Sequence, residues 1–222
     1  MNYTSESAAE SLTSIPGAAP EVDARHSCGR YLTLQEAVRG VDERGELESF
    51  VGAAFERKHA AIVRSFMPTL LAFRDPVGRL RGVTGLRAAG AERLFLEQYL
   101  DIPIESAIAA SSGLHVRREE IVEVGNLAGA NCRTAVRMVA QLPRYLLSRD
   151  FRWIVFTATS AVRKILLGFG APLFELARAD GTRVTGGDDA WGSYYQADPR
   201  VFVGHLPDSG RIAAFDQGDR GH

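Results

Sequence analysis

Two short apolar runs alternate with two helical patterns in the middle of the chain, between Glu119 and Gly170. The first run, Ile121 to Ala128, is rich in β-branched residues and leads through Gly129-Ala130-Asn131 into apolar positions at helical spacing from about Thr134. The second run, Trp153 to Thr157, is apolar on both alternating faces, as a strand buried on both sides must be. This order predicts a strand, turn, helix, strand and helix in the centre of one small domain.

The boundaries of the two helices also follow from the sequence. Pro143 is predicted to kink the first helix or divide it in two, because proline removes a backbone donor. Ser160 is predicted to cap the second helix, Ala161 to Gly168, and Gly170 to stop it. The turn before the first helix presents unpaired N–H groups that could bind a phosphate, although every strand–helix crossover has such a helix start.

Composition indicates one soluble globular domain. The chain has 222 residues, of which 45% are apolar and 24% charged. Its 26 basic and 27 acidic residues give no sequence-wide electrostatic case for nucleic acid or an acidic membrane surface. We find no secretory signal and no membrane span, and we therefore expect a cytoplasmic protein without integral membrane contact, in which Cys28 and Cys132 are free thiols.

The flanking segments complete the predicted domain, residues 28–206, between a disordered arm at 1–27 and a disordered tail at 207–222. A hairpin is predicted, with a bulge or a close neighbour at Gly82 and Gly85. The other predicted elements are a strand at Arg30 to Leu34, a helix at Glu46 to His59, the hairpin strands Thr69 to Arg74 and Leu80 to Arg87, and strands at Pro172 to Ala177 and Arg200 to Gly204.

Three acidic residues, Glu97, Asp101 and Glu105, recur at every fourth position in an otherwise apolar stretch. Pro103 predicts a break in any helix there. The pattern fits either a solvated acidic edge or a carboxylate cluster that holds an amine. The aromatic segment Trp191 to Tyr195 fits a cover for the core better than a lid on a pocket.

Several catalytic classes lack their motifs. The five histidines form no pair at metal-ligand spacing, and no G-x-S-x-G or G-x-x-x-x-G-K-S/T motif is present. We therefore predict no metal site. Cys132 is the one nucleophile of interest, at a helix N-terminus, but no base for it is identifiable.

The central unit resembles the core of the GNAT superfamily of N-acyltransferases. Cys132-Arg133-Thr134-Ala135 aligns with the last four positions of the family loop Q/R-x-x-G-x-G/A, with Arg133 in the place of a glycine and Ala130 where Gln or Arg is usual. A closer resemblance is to thermostable hemolysins, a GNAT-like family related to acyl-homoserine lactone synthases and N-acyl amino acid synthases. Among the segments that carry it are Ser65 to Pro68, Leu94 to Asp101, Ile121 to Ala128, Phe156 to Thr159 and Trp191 to Tyr195.

The resemblance implies an α/β GNAT-like domain with a mixed sheet flanked by helices. It further implies transfer of an acyl group from coenzyme A, or from the phosphopantetheine of an acyl carrier protein, to a small-molecule amine. Strands splayed at Leu127 and Ala128 would bind the pantetheine arm. The residues expected to bind the donor are Leu127, Ala128, Asn131, Cys132, Arg133, Thr134, Ala135 and Arg137.

Glu123 is the first candidate for the base, because a carboxylate between Val122 and Val124 would be partly buried and its pKa raised. Glu97 is the second, and Asn126 could orient the substrate. The residues expected near the acceptor are Arg87, Asp101, Glu105, Thr157 and Tyr195. Glu123 could instead pair with Arg87, and Asn126 could only satisfy backbone groups at a bulge. A non-catalytic binding module and a membrane-damaging protein remain alternatives, although we find no membrane-spanning hairpin and no cationic amphipathic helix.

Overall fold

The structure is a computed structural model that describes residues 32–38, 43–170, 172–184 and 191–209. Cys28, the whole of the predicted arm and the predicted tail beyond Ser209 lie outside these residues. The strands are β1 Thr33–Val38, β2 Thr69–Arg74, β3 Leu80–Ala88, β4 Ile121–Gly129, β5 Trp153–Ala158, β6 Leu173–Arg178 and β7 Arg200–His205. The helices are α1 Arg44–His59, α2 Ile104–Ser112, α3 Cys132–Leu147 and α4 Ser160–Gly168, with short 3₁₀ turns that include Phe95–Tyr99 and Leu206–Ser209.

The strands form one mixed sheet in the order β1-β2-β3-β4-β5-β7-β6. Among the described strands, only β4 and β5 pair in parallel, and the other pairings are antiparallel. This confirms the predicted α/β class with a mixed sheet, and the β2–β3 hairpin. The crossover from β4 to β5 runs through α3, as a parallel connection requires.

The helices cover both faces of the sheet. One face packs Leu71, Val122 and Phe156 against α3 residues such as Met138 and Leu142. The other face packs against α1 and against the segment from Leu94 to α2. Glu123 is three per cent exposed and lies on this second face, since its neighbours along β4, Val122 and Val124, face α3.

A bulge bends β4 in its second half. Val83 pairs with Ala128 and Gly85 with Gly125, so Asn126 and Leu127 lie opposite a single residue of β3. Asn126 takes a left-handed conformation with φ of 50°, and its Oδ1 accepts a 2.8 Å hydrogen bond from the Met67 N–H. This is the close neighbour expected near Gly85, because a Cβ on Gly85 would lie 2.6 Å from the Met67 side chain.

The bulge separates β4 from β5. The two strands pair only from Ile121–Trp153 to Val124–Phe156. Beyond that point β4 stays paired with β3 as far as Gly129. The strands therefore splay from Gly125 onward, a little before the predicted Leu127 and Ala128, and a gap opens in the middle of the sheet.

The structure differs from the predictions in β1, α4 and α3. β1 continues to Val38, beyond the predicted end at Leu34, because its pairing with β2 runs from Thr33–Arg74 to Val38–Thr69. The predicted start of this strand, Arg30, lies outside the described residues. The N-cap of α4 is Thr159 instead of Ser160. Helix α3 continues through Pro143 without division, and the buried neighbours Leu142 and Leu146 hold both sides of the proline in the core.

Candidate active site

A cavity of about 850 Å³ passes through the gap between β4 and β5. Its walls include Val139 and Leu142 from one face of the sheet and Tyr99 and Glu123 from the other. The volume is ample for a cofactor-sized ligand. The splayed strands thus make one continuous cavity that reaches both faces.

The mouth of the cavity lies where α3 and α4 begin. Asn131 caps α3 by accepting a 2.9 Å hydrogen bond from the Thr134 N–H. Cys132 is exposed and lines the cavity here. At the start of α4, Thr159 is buried, and its hydroxyl has no hydrogen-bond partner among the described residues. Two helix N-termini and an unpartnered hydroxyl therefore offer donors to a polar ligand.

An apolar limb of the cavity extends between the sheet and the helices α3 and α4. We define it by Val139, Leu142, Ile154, Phe156, Val162 and Leu166, which all line the cavity. Leu142 and Leu166 also belong to the core on that face of the sheet. This limb can accommodate a hydrocarbon chain, since burial of apolar surface is favourable without any directional contact.

Glu123 lies on the opposite side of the gap. Its Oε2 accepts a 2.7 Å hydrogen bond from the Phe95 N–H, and its Oε1 accepts one of 3.0 Å from the Leu96 N–H. Burial raises the pKa of Glu123 to about 7, although these two N–H groups and the charge of Arg87 act in the opposite direction. A carboxyl group of this kind can take up and release a proton near neutral pH.

Arg87 lies directly opposite Glu123 in the β3–β4 pairing and also lines the cavity. Its closest acidic partner is Glu92, at 3.6 Å from Nε, so Arg87 does not form the ion pair with Glu123 that we considered. The buried Nε has no hydrogen-bond partner among the described residues. Such an unsatisfied cationic donor favours an anionic ligand group.

An aromatic limb continues the cavity beyond Glu123. We define it by Phe55, His59, Phe95, Tyr99, Trp191 and Tyr194, which all line the cavity. The rings contact one another, with centroids 5.4 Å apart for Trp191 and Tyr194 and 5.9 Å apart for Phe95 and Trp191. Trp191 and Tyr194 thus line a pocket as well as covering apolar residues.

The acidic residues of the Leu94–Gly113 stretch do not line the cavity. Pro103 separates the Phe95–Tyr99 turn from α2, as predicted. Arg118 forms ion pairs with Glu97 at 2.8 Å and Glu105 at 2.7 Å, and the exposed Asp101 pairs with Arg183 at 2.8 Å. The three carboxylates therefore do not form one amine-binding cluster.

Glu97 nevertheless fixes the position of the turn that binds Glu123. Its carboxylate accepts hydrogen bonds from the Leu94 and Ile104 N–H groups as well as from Arg118. Burial alone would raise the pKa of Glu97, but these hydrogen bonds lower it to about 2. The anchored turn carries the Phe95 and Leu96 N–H groups that bind Glu123.

The remaining predicted residues fall into three groups. The cavity is lined by the predicted residues Arg87, Glu123, Asn126, Leu127, Ala128, Asn131, Cys132, Ala135 and Thr157. Arg133, Thr134 and Arg137 instead line a separate pocket of about 290 Å³, together with Arg81. Tyr195 does not line the cavity, and its hydroxyl lies 2.9 Å from that of Tyr99.

The wall residues that the sequence analysis did not predict include His59, Tyr99 and Thr159. His59 ends α1 and lies far along the chain from Glu123, so no local pattern indicated it. Thr159 was not predicted to cap α4 because the neighbouring Ser160 is an equally good capping residue. Within the described ranges, no group of three or more His, Cys, Asp or Glu side chains could hold a metal ion, and no helix is long and apolar enough to cross a membrane.

The fold of the described residues defines a structural class. The mixed sheet with its splayed parallel pair is GNAT-like, and solved structures share it at low sequence identity. The acyl-homoserine lactone synthase LasI matches with 13% identity over 80% of this chain and 91% of that chain, at a TM-score of 0.54. FeeM, an N-acyl amino acid synthase from uncultured soil microbes, matches with 12% identity over 84% of this chain and 98% of that chain, at a TM-score of 0.54.

A third structure, the CoA-dependent acyl-homoserine lactone synthase BjaI with SAM and isopentyl-CoA, matches with 10% identity over 84% of this chain and 90% of that chain, at a TM-score of 0.57. No curated protein sequence matches the chain. Residues 38–210 match the model of the thermostable hemolysin family. The protein belongs to this family.

Proposed function

We propose that the protein is an acyltransferase that moves an acyl group from a coenzyme A or acyl-carrier-protein thioester to an amine. The observation that carries this proposal is the gap between β4 and β5. Through this gap, the carboxyl group of Glu123, whose pKa is about 7, lies in the same cavity as the N-terminal ends of α3 and α4. The similarity of the fold to acyl-homoserine lactone and N-acyl amino acid synthases supports the same reaction class.

The donor would enter at the mouth of the cavity. The edge of β4 from Gly125 to Gly129 is unpaired with β5, and its backbone groups can bind the amides of a pantetheine arm as an added strand would. Donors at the N-termini of α3 and α4, together with the Thr159 hydroxyl, would bind polar groups of the arm. The acyl chain would then occupy the apolar limb.

The acceptor would enter through the aromatic limb. Aminolysis of a thioester needs an uncharged amine, and Glu123 lies where it can accept a proton from that amine. Arg87, whose Nε forms no hydrogen bond with the described residues, would bind a carboxylate on the acceptor. We therefore propose an α-amino acid as the acceptor, and an amino acid amide should react at least about tenfold more slowly, since it lacks that charge.

The direct test is product analysis by mass spectrometry. The full chain is incubated with acyl-coenzyme A or acyl-carrier-protein thioesters and pooled amino acids, and both N-acyl products and free thiol are measured. Formation of an N-acyl amino acid with release of one thiol per amide supports the proposal. Absence of any amide with both donors rejects it, and thermal stabilisation by a thioester without product would instead favour a binding module.

Cys132 gives an independent probe of the donor position. Alkylation of this exposed thiol places a bulky group at the mouth, and we expect at least a tenfold rise in the KM for the thioester with little change in the KM for the acceptor. The acyl donor should slow the alkylation. The experiment uses the Cys28→Ser background so that one thiol reacts. Cys132→Ser in the same background is the control and should be insensitive to the reagent; equal labelling with and without donor contradicts the assignment.

A further inference from the structure

His59 is an imidazole of the aromatic limb that has no hydrogen-bond partner among the described residues. It is 8% exposed and lines the cavity. The rings of Phe55 and Tyr194 contact it, with centroids 6.1 Å and 5.4 Å from that of the imidazole. Neither ring nitrogen forms a hydrogen bond or an ion pair with any residue that the structure describes. A buried polar group without a partner is rare in a folded protein unless it faces a ligand or water.

The backbone of His59 is fixed by the segment that contains Trp191. The Ser193 N–H and hydroxyl donate to the His59 carbonyl oxygen at 2.8 Å and 3.3 Å. Gly192 has a φ of 52°, and a Cβ there would lie 2.1 Å from the same oxygen. The chain therefore needs glycine at this contact. The carbonyl is occupied by Ser193, and the imidazole is the part of His59 left to meet a ligand.

Burial and the positive charge of Lys58 favour the neutral form of His59. Burial lowers the pKa of His59, and the neighbouring Lys58 lowers it further. Arg57 on the same helix, Arg87 on β3 and Glu123 on β4 are the other charged groups of this part of the cavity wall. Tyr194, on the segment that covers His59, is half-buried, and burial raises its pKa, so it contributes no charge. A neutral imidazole can accept a proton.

We infer that His59 is a second proton acceptor for the transfer reaction, which deprotonates the acceptor while Glu123 serves the later step. This rests on the proposed function. An amino acid enters as an ammonium ion and must lose two protons to become an amide. One passes from the ammonium to an imidazole nitrogen of His59, and the free lone pair attacks the thioester carbonyl carbon. The N–C bond forms as the C–S bond breaks. The remaining proton passes through the Glu123 carboxylate to the sulfur, which leaves as a thiol, and the imidazolium returns its proton to water.

The test is the pH dependence of His59→Gln in the full-length protein. We expect kcat/KM for the acceptor to fall by about 100-fold at pH 7, the lower end of the range for general-base catalysis. The ratio of wild-type to variant rates should shrink steadily as the pH approaches the pKa of the free amine, because the acceptor then needs no deprotonation. The KM for the thioester should change little. Imidazole added to His59→Ala should restore part of the rate.

A second readout does not depend on turnover. In NMR spectra of the histidine-labelled protein, the His59 signal should titrate below the ordinary value of 6.5 and shift when the acceptor amino acid is added. The exposed His115 provides the matched control, and His115→Gln should leave rate and pH profile unchanged. A loss that is equal at all pH values, or a His59 signal indifferent to the acceptor, overturns this inference alone. Absence of amide from the wild-type protein rejects the proposed function itself.

Discussion

Replacing Glu123 by glutamine is expected to lower kcat by about 10²- to 10⁴-fold, the range that removal of a general base produces. Glutamine preserves the size of the side chain, and its carbonyl oxygen can still accept one of the two hydrogen bonds from Phe95 and Leu96. It cannot accept the proton of the amine. The KM for the thioester should change less than threefold, since the donor binds on the other side of the gap.

Steady-state kinetics with acyl thioester and amino acid measure this effect. Glu119→Gln provides the control, because Glu119 is an exposed acid just before β4 and lies outside the cavity. Wild-type kcat should rise with pH through about 7 as the Glu123 carboxyl ionises. If Glu123→Gln and Glu119→Gln behave alike, the role assigned to Glu123 is wrong.

The same residue should leave a signature in stability. The pKa of Glu123 is raised from 4.5 to about 7 in the folded state, so the folded protein holds this proton more tightly than the unfolded chain. The associated stability is fully present below pH 4.5 and is lost as the pH rises through 7. A shift of this size corresponds to about 3 kcal/mol. Urea unfolding at pH 5 and pH 8 should show this loss in wild type and its absence in Glu123→Gln.

His59 makes the opposite contribution to the pH dependence of the free energy of unfolding. Its lowered pKa makes protonation unfavourable in the folded state, so its contribution to stability grows as the pH rises toward 6.5. Glu123→Gln leaves this contribution in place. The difference between the two proteins at each pH therefore isolates Glu123.

The parts of the fold that the sequence predicts well are those set by neighbouring residues. The apolar run of β4, the small-residue turn, the amphipathic start of α3 and the second apolar run each carry a local pattern, and the structure has these elements in the predicted order. Glu123 could be chosen because its flanking valines already indicated burial. In contrast, the bulge depends on Met67, whose N–H binds Asn126 from 59 residues away.

The wall of the cavity required long-range information. His59, Tyr99 and Tyr194 come from three distant segments that only the tertiary structure brings together. For the acidic residues, the regular spacing fitted either a solvated acidic edge or an amine-binding cluster, because their actual partners are set by tertiary structure. Glu97 binds Arg118, which is 21 residues further along the chain and carries no local signal of that role.

Replacing Arg118 by alanine should give the largest loss of stability. The guanidinium binds both oxygens of the buried Glu97, one oxygen of Glu105 and the carbonyl oxygen of Ala89. Its removal leaves a buried carboxylate with only two backbone donors. We expect a loss of about 3 kcal/mol at pH 7, the low end for a broken buried pair because Arg118 is partly exposed, and a fall in Tm of about 10 °C.

The adjacent Arg117→Ala is the matched control. Arg117 forms an ion pair with Glu120 at the surface, so its removal should change the free energy of unfolding little. The pKa of Glu97 is lowered from 4.5 to about 2 in the folded state. The stability contributed by its ion pair is therefore fully present above pH 4.5 and is lost as the pH falls toward 2. The difference in free energy of unfolding between wild type and Arg118→Ala should therefore become smaller as the pH falls. The corresponding difference for Arg117→Ala should stay small at every pH. Since the anchored turn also orients the Phe95 and Leu96 N–H groups, Arg118→Ala should lower kcat as well. Equal stability of the two alanine variants at pH 7 would show that Glu97 does not depend on Arg118.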